Sequence, residues 1–154
     1  MEEAFIYDTV RSPRGKGKKG SLNELTAVAL SAKILKELRE RNSLNTEEIE
    51  DVIWGNVTQV GEQGGCLARS AVIAANYSES TPGLSINRFC ASGLEAVNLA
   101  TNQVKGSAGN GYVAGGVEMM SRVPMGSDGA AIAVDPTLAM NSYFVPQGIS
   151  ADIL

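Results

Sequence analysis

The sequence predicts an α/β fold: a mostly parallel sheet with helices covering its faces. Three observations carry this. Strand-like and helix-like segments alternate as β-α-β-α-β-α-β from Ala4 to Val117. The helical segments carry apolar residues at a period near 3.6. The last strand-like segment, "GYVAGGV" (Gly111 to Val117), is apolar throughout, as a strand buried on both faces must be. Right-handed crossovers between such units place the strands parallel and the helices in outer layers.

The elements follow in order. "AFIYDTV" (residues 4–10) reads as a first strand, rich in β-branched and aromatic types. A basic glycine-rich loop follows, with Arg11, Arg14, Lys16, Lys18 and Lys19. It suits either phosphate attraction or plain solvation, and no helix start with a phosphate-binding pattern adjoins it. Ser21 and Glu24 form an S-x-x-E capping box. Leu22, Leu25, Val28, Ala29, Ala32, Leu35 and Leu38 then mark one face of a helix ending near Asn42. Thr46 to Glu50 reads as a short helical turn, and "DVIWGNVT" (Asp51 to Thr58) as a second strand. "GEQGG" breaks the chain before a small-residue helix from Cys66 to Asn76. After a turn at Thr81 to Gly83, Leu84 to Asn87 is a short third strand. The third helix starts at or just after Cys90 and runs towards Lys105. Between Cys90 and Val104 its only charge is Glu95, so it is expected between layers, not at the surface. Beyond Glu118 the periodicity decays into a proline-containing stretch, and "GISADIL" opens a last helix. The reading divides the chain into an α/β unit, residues 1–120, and the start of an irregular unit, residues 121–154.

Composition excludes several functions. With 44% hydrophobic and 19% charged residues over 154 positions, the chain folds as a globular domain with a sizeable core. A net charge of -4 gives no basic footprint for nucleic acid, and no apolar run spans a membrane. The N-terminus "MEEAFIYDTV" lacks the pattern of a targeting peptide. Two cysteines make no disulfide framework, so a reduced, cytoplasmic setting is expected. The chain has no histidine. That removes a Ser-His-Asp triad, a Cys-His pair and histidine-ligated zinc, and no metal site is expected.

Cys90 is the candidate catalytic residue. It stands where a strand hands over to a helix, in "INRFCASGLEAV" (Ile86 to Val97). In open α/β sheets ligands gather at the carboxyl ends of strands. Unpaired N–H groups at a helix start favour a thiolate and can hold an oxyanion. The competing reading is an inert, buried cysteine. Cys66, in the glycine break, has no comparable setting and reads as inert.

Three segments together resemble the thiolases, the acetyl-CoA acetyltransferase and 3-ketoacyl-CoA thiolase family. "INRFCASGLEAVNLA" (Ile86 to Ala100) is similar to the family's nucleophile segment. "GGVEMMSRVP" (Gly115 to Pro124) resembles its G-G-x-E-x-M-S-x-x-P segment, and "DTVRSPRGKGKKGSL" its D-x-x-R-[ST]-P-x-G opening. The resemblance covers about Ala4 to Pro124 well and the remainder loosely. It implies that Cys90 is the acyl-accepting nucleophile of a transferase acting in fatty acid metabolism. Acyl-CoA and CoA would be substrates, with no further cofactor. It also implies a homo-oligomer, a dimer or tetramer in the family, with no nucleic-acid or membrane partner. In the family a second α/β half carries an activating histidine, a water-holding asparagine and a second cysteine. None of these is matched here, so the chain alone is expected to be inactive. It departs locally in reading "QGGCLAR" (Gln63 to Arg69) where many members have G-Q-N-P-A-R. Two other classes stay open: a non-catalytic thiolase-like dimerisation or binding module, and a condensing enzyme of the ketoacyl synthase type. "EMMSRVP" favours a thiolase over the latter.

Overall fold

The computed structural model describes residues 3–17 and 19–154. Met1, Glu2 and Lys18, read above within the acidic N-terminus and the basic loop, lie outside the described residues. Three parallel strands form the sheet: β1 (Asp51–Gly55), β2 (Gly83–Ile86) and β3 (Tyr112–Gly116), in the order β2-β1-β3. Ile53 pairs with Leu84 on one side and Ala114 on the other, so β1 is the central strand. Val52, Ile53 and Trp54 are buried accordingly.

The connections are helical. α1 (Ala27–Asn42) and α2 (Leu67–Ala74) pack together, and α3 (Ser92–Lys105) packs on β1 and β3. Buried Ala27, Ser31 and Leu35 on α1 meet Leu67, Ala68, Ala71 and Val72 of α2 in one core with Val52 and Trp54. The indole N–H of Trp54 donates to Ser31 Oγ at 3.1 Å, which satisfies the one polar atom of that side chain inside the core.

Three expectations are corrected. Residues 4–10 form no strand. They run beside β3, but a cavity of about 1270 Å³, lined by this segment and by α1, α3 and β3, separates them from it. No ladder closes across that gap, and Phe5, Ile6 and Tyr7 stay exposed. Arg11, Arg14, Lys16 and Lys19 beyond them are exposed, as a solvated loop requires. The helix expected from the Ser21–Glu24 box starts later. Backbone bonds from Asn23 N–H to Gly20 O and Leu25 N–H to Leu22 O close turns there. Thr26 is the cap instead, its Oγ1 accepting from Ala29 N–H at 3.1 Å. The third helix, expected at or just after Cys90 and running towards Lys105, spans Ser92–Lys105, after a tight turn from Arg88 to Ala91. Finally, α3 is covered by the sheet on one side only. Ala96 is fully buried but Leu94 is 66% exposed, so the charge-poor helix is not enclosed between layers here.

Beyond β3 come three short helices: α4 (Ala131–Val134), α5 (Pro136–Asn141) and α6 (Gln147–Ile153). Asp135 caps α5 by accepting from Leu138 N–H at 2.9 Å. Most apolar residues of this stretch, Met140 and Tyr143 among them, are exposed.

Tyr77 gives the core a pH response. It is buried at the end of α2, and its hydroxyl donates to Leu35 O at 2.9 Å. Burial pushes the phenol up to about 12, against a smaller opposing pull from the Arg39 charge. The folded chain therefore holds the proton more tightly than the unfolded chain. Stability from this group is complete below the ordinary phenol value of 10.0 and falls as pH rises towards 12. Tyr77→Phe should flatten the loss of stability between about pH 9 and pH 11. At neutral pH it should cost about 1 kcal/mol for the lost hydrogen bond. Urea midpoints of both proteins at the three pH values check this; equal slopes with pH would refute it.

Candidate active site

The carboxyl ends of all three strands converge on one knot. Past β1, Asn56 N–H donates to Ile86 O at 2.9 Å; past β3, Val117 N–H donates to Gly55 O at 3.0 Å. Glu118 then turns its carboxylate back onto the β1 loop. It accepts from Val57 N–H at 2.8 Å, Thr58 N–H at 3.3 Å, Gln63 Nε2 at 2.9 Å and Asn56 Nδ2 at 3.3 Å. Gln63 is fully buried, and its Oε1 accepts from Met119 N–H at 2.7 Å. Charge-assisted bonds of this kind are the stronger class, so the loop ends are held firmly.

Cys90 lies just beyond the end of β2, in the turn that leads into α3. Its predecessor Phe89 has φ 47°, the left-handed region that a non-glycine residue enters at a cost. Ala91 N–H donates to Arg88 O at 3.1 Å and Ser92 N–H to Phe89 O at 3.0 Å, closing the turn. The helix start seats directly on β1. A Cβ on Gly55 would lie 2.5 Å from the carbonyl carbon of Ser92 and 2.7 Å from Gly93 N, so glycine is required by space. Cys90 is exposed, whereas the competing reading has it buried. Among the described residues no acceptor meets the Cys90 N–H. The cap residue Ala91 supplies no side-chain acceptor to the first turn of α3 either. Arg88 pairs with Glu95 at 3.1 Å, so the charges flanking the cysteine balance.

Cys66 is placed elsewhere. It precedes α2 with φ 60°, and its Sγ–H donates to Gly83 O at 3.2 Å, at the opposite end of β2 from Cys90. Both thiols are free, and the fold does not bring them together.

Sequence reasoning singled out Cys90 but missed Glu118, Gln63, Asn56, Asn87 and Ser92. The available signal was polar residues recurring at the ends of apolar strands: "WGN", "SIN" and "GVE". Polar side chains are costly there unless they are bonded to one another.

The thiolase N-terminal domain family matches residues 4–151, almost the whole chain. The chain belongs to the thiolase family. As a thiolase domain it is 40% identical to the 3-ketoacyl-CoA thiolase of Colwellia psychrerythraea over 157 aligned positions, which cover all of this chain and 40% of that protein. It is 40% identical to the 3-ketoacyl-CoA thiolase of Pseudoalteromonas atlantica, across 81% of this chain and 33% of that one. Among solved structures, the acetyl-CoA acetyltransferase of Bacillus anthracis superposes with a TM-score of 0.62 at 34% identity, covering 66% of this chain and 26% of the other. This thiolase chain thus spans less than half the length of the relatives it matches. The family match includes both the Cys90 turn and the Glu118 knot. No helix among the described residues is long and apolar enough to cross a membrane.

Proposed function

We propose that this chain carries the nucleophile of a thiolase acting on 3-ketoacyl-CoA, with Cys90 as the acyl acceptor. The observation that supports this most is an exposed thiol at the carboxyl ends of the strands whose own backbone N–H meets no acceptor among the described residues. In thiolysis the Cys90 thiolate attacks carbon 3 of the substrate, and the electron pair of the carbonyl moves onto oxygen. That oxyanion lies within reach of the Cys90 N–H and the uncapped first turn of α3. Collapse breaks the bond between carbons 2 and 3. The departing carbon 2 takes a proton and leaves as acetyl-CoA, with the acyl group on sulfur. A CoA thiol then loses its proton and attacks that thioester, which releases shortened acyl-CoA and restores the thiolate. The reverse sequence with two acetyl groups is a Claisen condensation. CoA thioesters are the substrates, and no separate cofactor takes part in this scheme. Residues 1–120 serve as the nucleophile-bearing α/β unit and 121–154 as the start of an inserted one, in a cytoplasmic enzyme.

Proton transfer needs a group that this chain does not supply, because it has no histidine and only Arg88 and Glu95 flank the turn. The chain alone therefore binds and presents the nucleophile without turning over. The second reading is a non-catalytic thiolase-like module, which needs no base. Two measurements separate them. Iodoacetamide should alkylate Cys90 roughly tenfold faster than Cys66. Both thiols are exposed, but only the Cys66 Sγ–H is engaged by a carbonyl. Acetoacetyl-CoA should not be cleaved catalytically by the chain alone. Equal alkylation of the two cysteines from about pH 6 to pH 9 would favour the non-catalytic module. Turnover that vanishes in Cys90→Ala would show a base within the chain.

A further inference from the structure

We infer that Ser92 and Asn87 are positioning residues that aim the Cys90 N–H as an oxyanion donor; this rests on Cys90 being the acyl acceptor. The geometry turns on one peptide unit. The Phe89 carbonyl and the Cys90 N–H belong to the same planar peptide, so fixing one fixes the other in the opposite direction. Ser92 holds that carbonyl twice: its Oγ–H donates to Phe89 O at 2.6 Å and its backbone N–H at 3.0 Å. The same hydroxyl oxygen accepts from Arg88 N–H at 2.9 Å. Ser92 is itself 4% exposed and seated on Gly55, so its hydroxyl has little freedom to turn away.

Asn87 holds the other side. Its Oδ1 accepts from Phe89 N–H at 2.8 Å, and its Nδ2 donates to Val57 O at 3.2 Å. Val57 is the residue whose N–H Glu118 grips at 2.8 Å. Both backbone polar atoms of Phe89 are thus held by side chains, and the holder on one side is tied to the knot between the strands. A left-handed, non-glycine residue persists only when its surroundings over-determine it, and these bonds do so. With the Phe89 carbonyl committed to Ser92, the Cys90 N–H points away and meets no acceptor among the described residues. A donor set in advance towards a developing charge is the arrangement that stabilises a tetrahedral intermediate.

The test uses two reagents on the same thiol. Iodoacetamide reacts by displacement at a saturated carbon and forms no oxyanion. p-Nitrophenyl acetate forms one: the sulfur adds to the carbonyl, then p-nitrophenolate leaves with the bonding pair and the acetyl group stays on sulfur. The readout is the ratio of acetylation to alkylation rate at Cys90, measured by peptide mass spectrometry on the full chain. Ser92→Ala and Asn87→Ala should lower that ratio about tenfold, with alkylation itself within about twofold of the parent. Asn87→Asp keeps the acceptor for Phe89 N–H but sets an oxygen against the Val57 carbonyl, so it should restore only part of the ratio. Should Ser92→Ala fail to give the parental circular dichroism, the Asn87 pair reads the same quantity. An unchanged ratio, or acetylation and alkylation falling together, would overturn the inference while leaving Cys90 as acceptor. A parent chain in which Cys90 is acetylated no faster than Cys66 would overturn both.

Discussion

Gly55→Ala should destabilise the chain by about 3 kcal/mol, the upper range for overpacking a well-filled site. The added carbon would meet backbone, not a flexible side chain: the Ser92 carbonyl carbon at 2.5 Å, Gly93 N at 2.7 Å and Ser92 O at 2.7 Å. Nothing there yields without lifting the start of α3 off β1. The Gly55 carbonyl is also committed to Val117 N–H, so β1 cannot retreat without losing a ladder bond. Cys90 should move with the helix start, and its alkylation rate should lose its advantage over Cys66. Gly93→Ala is the matching control. A Cβ there meets nothing within 4 Å, and the position is helical. Alanine there should stabilise by up to about 1 kcal/mol through the unfolded chain. Urea midpoints at equal m-values compare the two. A Gly55→Ala protein as stable as its parent would show that α3 is not seated on β1 as described.

The place of Cys90 was legible because the punctuation around it is local. A short apolar strand, polar breaks and then a helical period fall within twenty residues, and the turn lies between them. Glu118 was not legible in its role. Its partners Val57 and Gln63 lie 61 and 55 residues away, and only the sheet brings them together. Gly55 was likewise opaque, because close approach is a property of two elements and not of one. Residues 4–10 failed as a strand for a related reason. β-Branched and aromatic residues report fitness for a pleated surface, whereas a strand also needs a free edge at ladder distance. Here a cavity stands between the segment and β3. The start of α1 slipped from Ser21 to Thr26 because backbone bonds from Asn23 to Gly20 and from Leu25 to Leu22 close turns over the stretch where the Ser21 box would have opened the helix. The alternation of strands and helices from Asp51 onward survived because each helix needs the sheet it crosses to bury its face.

The chain should self-associate through the outer edge of β2, and Leu84→Lys should abolish that association. β2 pairs with β1 on one side only, so its other side offers unpaired backbone groups. The second sheet edge, on β3, faces the cavity behind residues 4–17 and is less open to another chain. Leu84 on β2 is 41% exposed, and Phe89 just beyond it is 68% exposed, so an apolar strip continues the edge. A two-fold contact would pair this edge with its own copy, antiparallel, and close after two chains. Ser85 is unsuited to cross-linking such a pair, because its hydroxyl accepts from Ala68 N–H at 3.0 Å and faces α2. Leu84 is the position to probe. A lysine there charges the edge, the device by which exposed strands are kept apart. The competing cause is the open side of α3, where Leu94 is 66% exposed. Leu94→Lys should therefore leave the association intact if β2 drives it. Sedimentation of the parent and both variants at tens of micromolar decides. A dimer lost only in Leu84→Lys supports the strand contact, a dimer lost only in Leu94→Lys assigns it to the helix face, and a monomeric parent refutes the association itself.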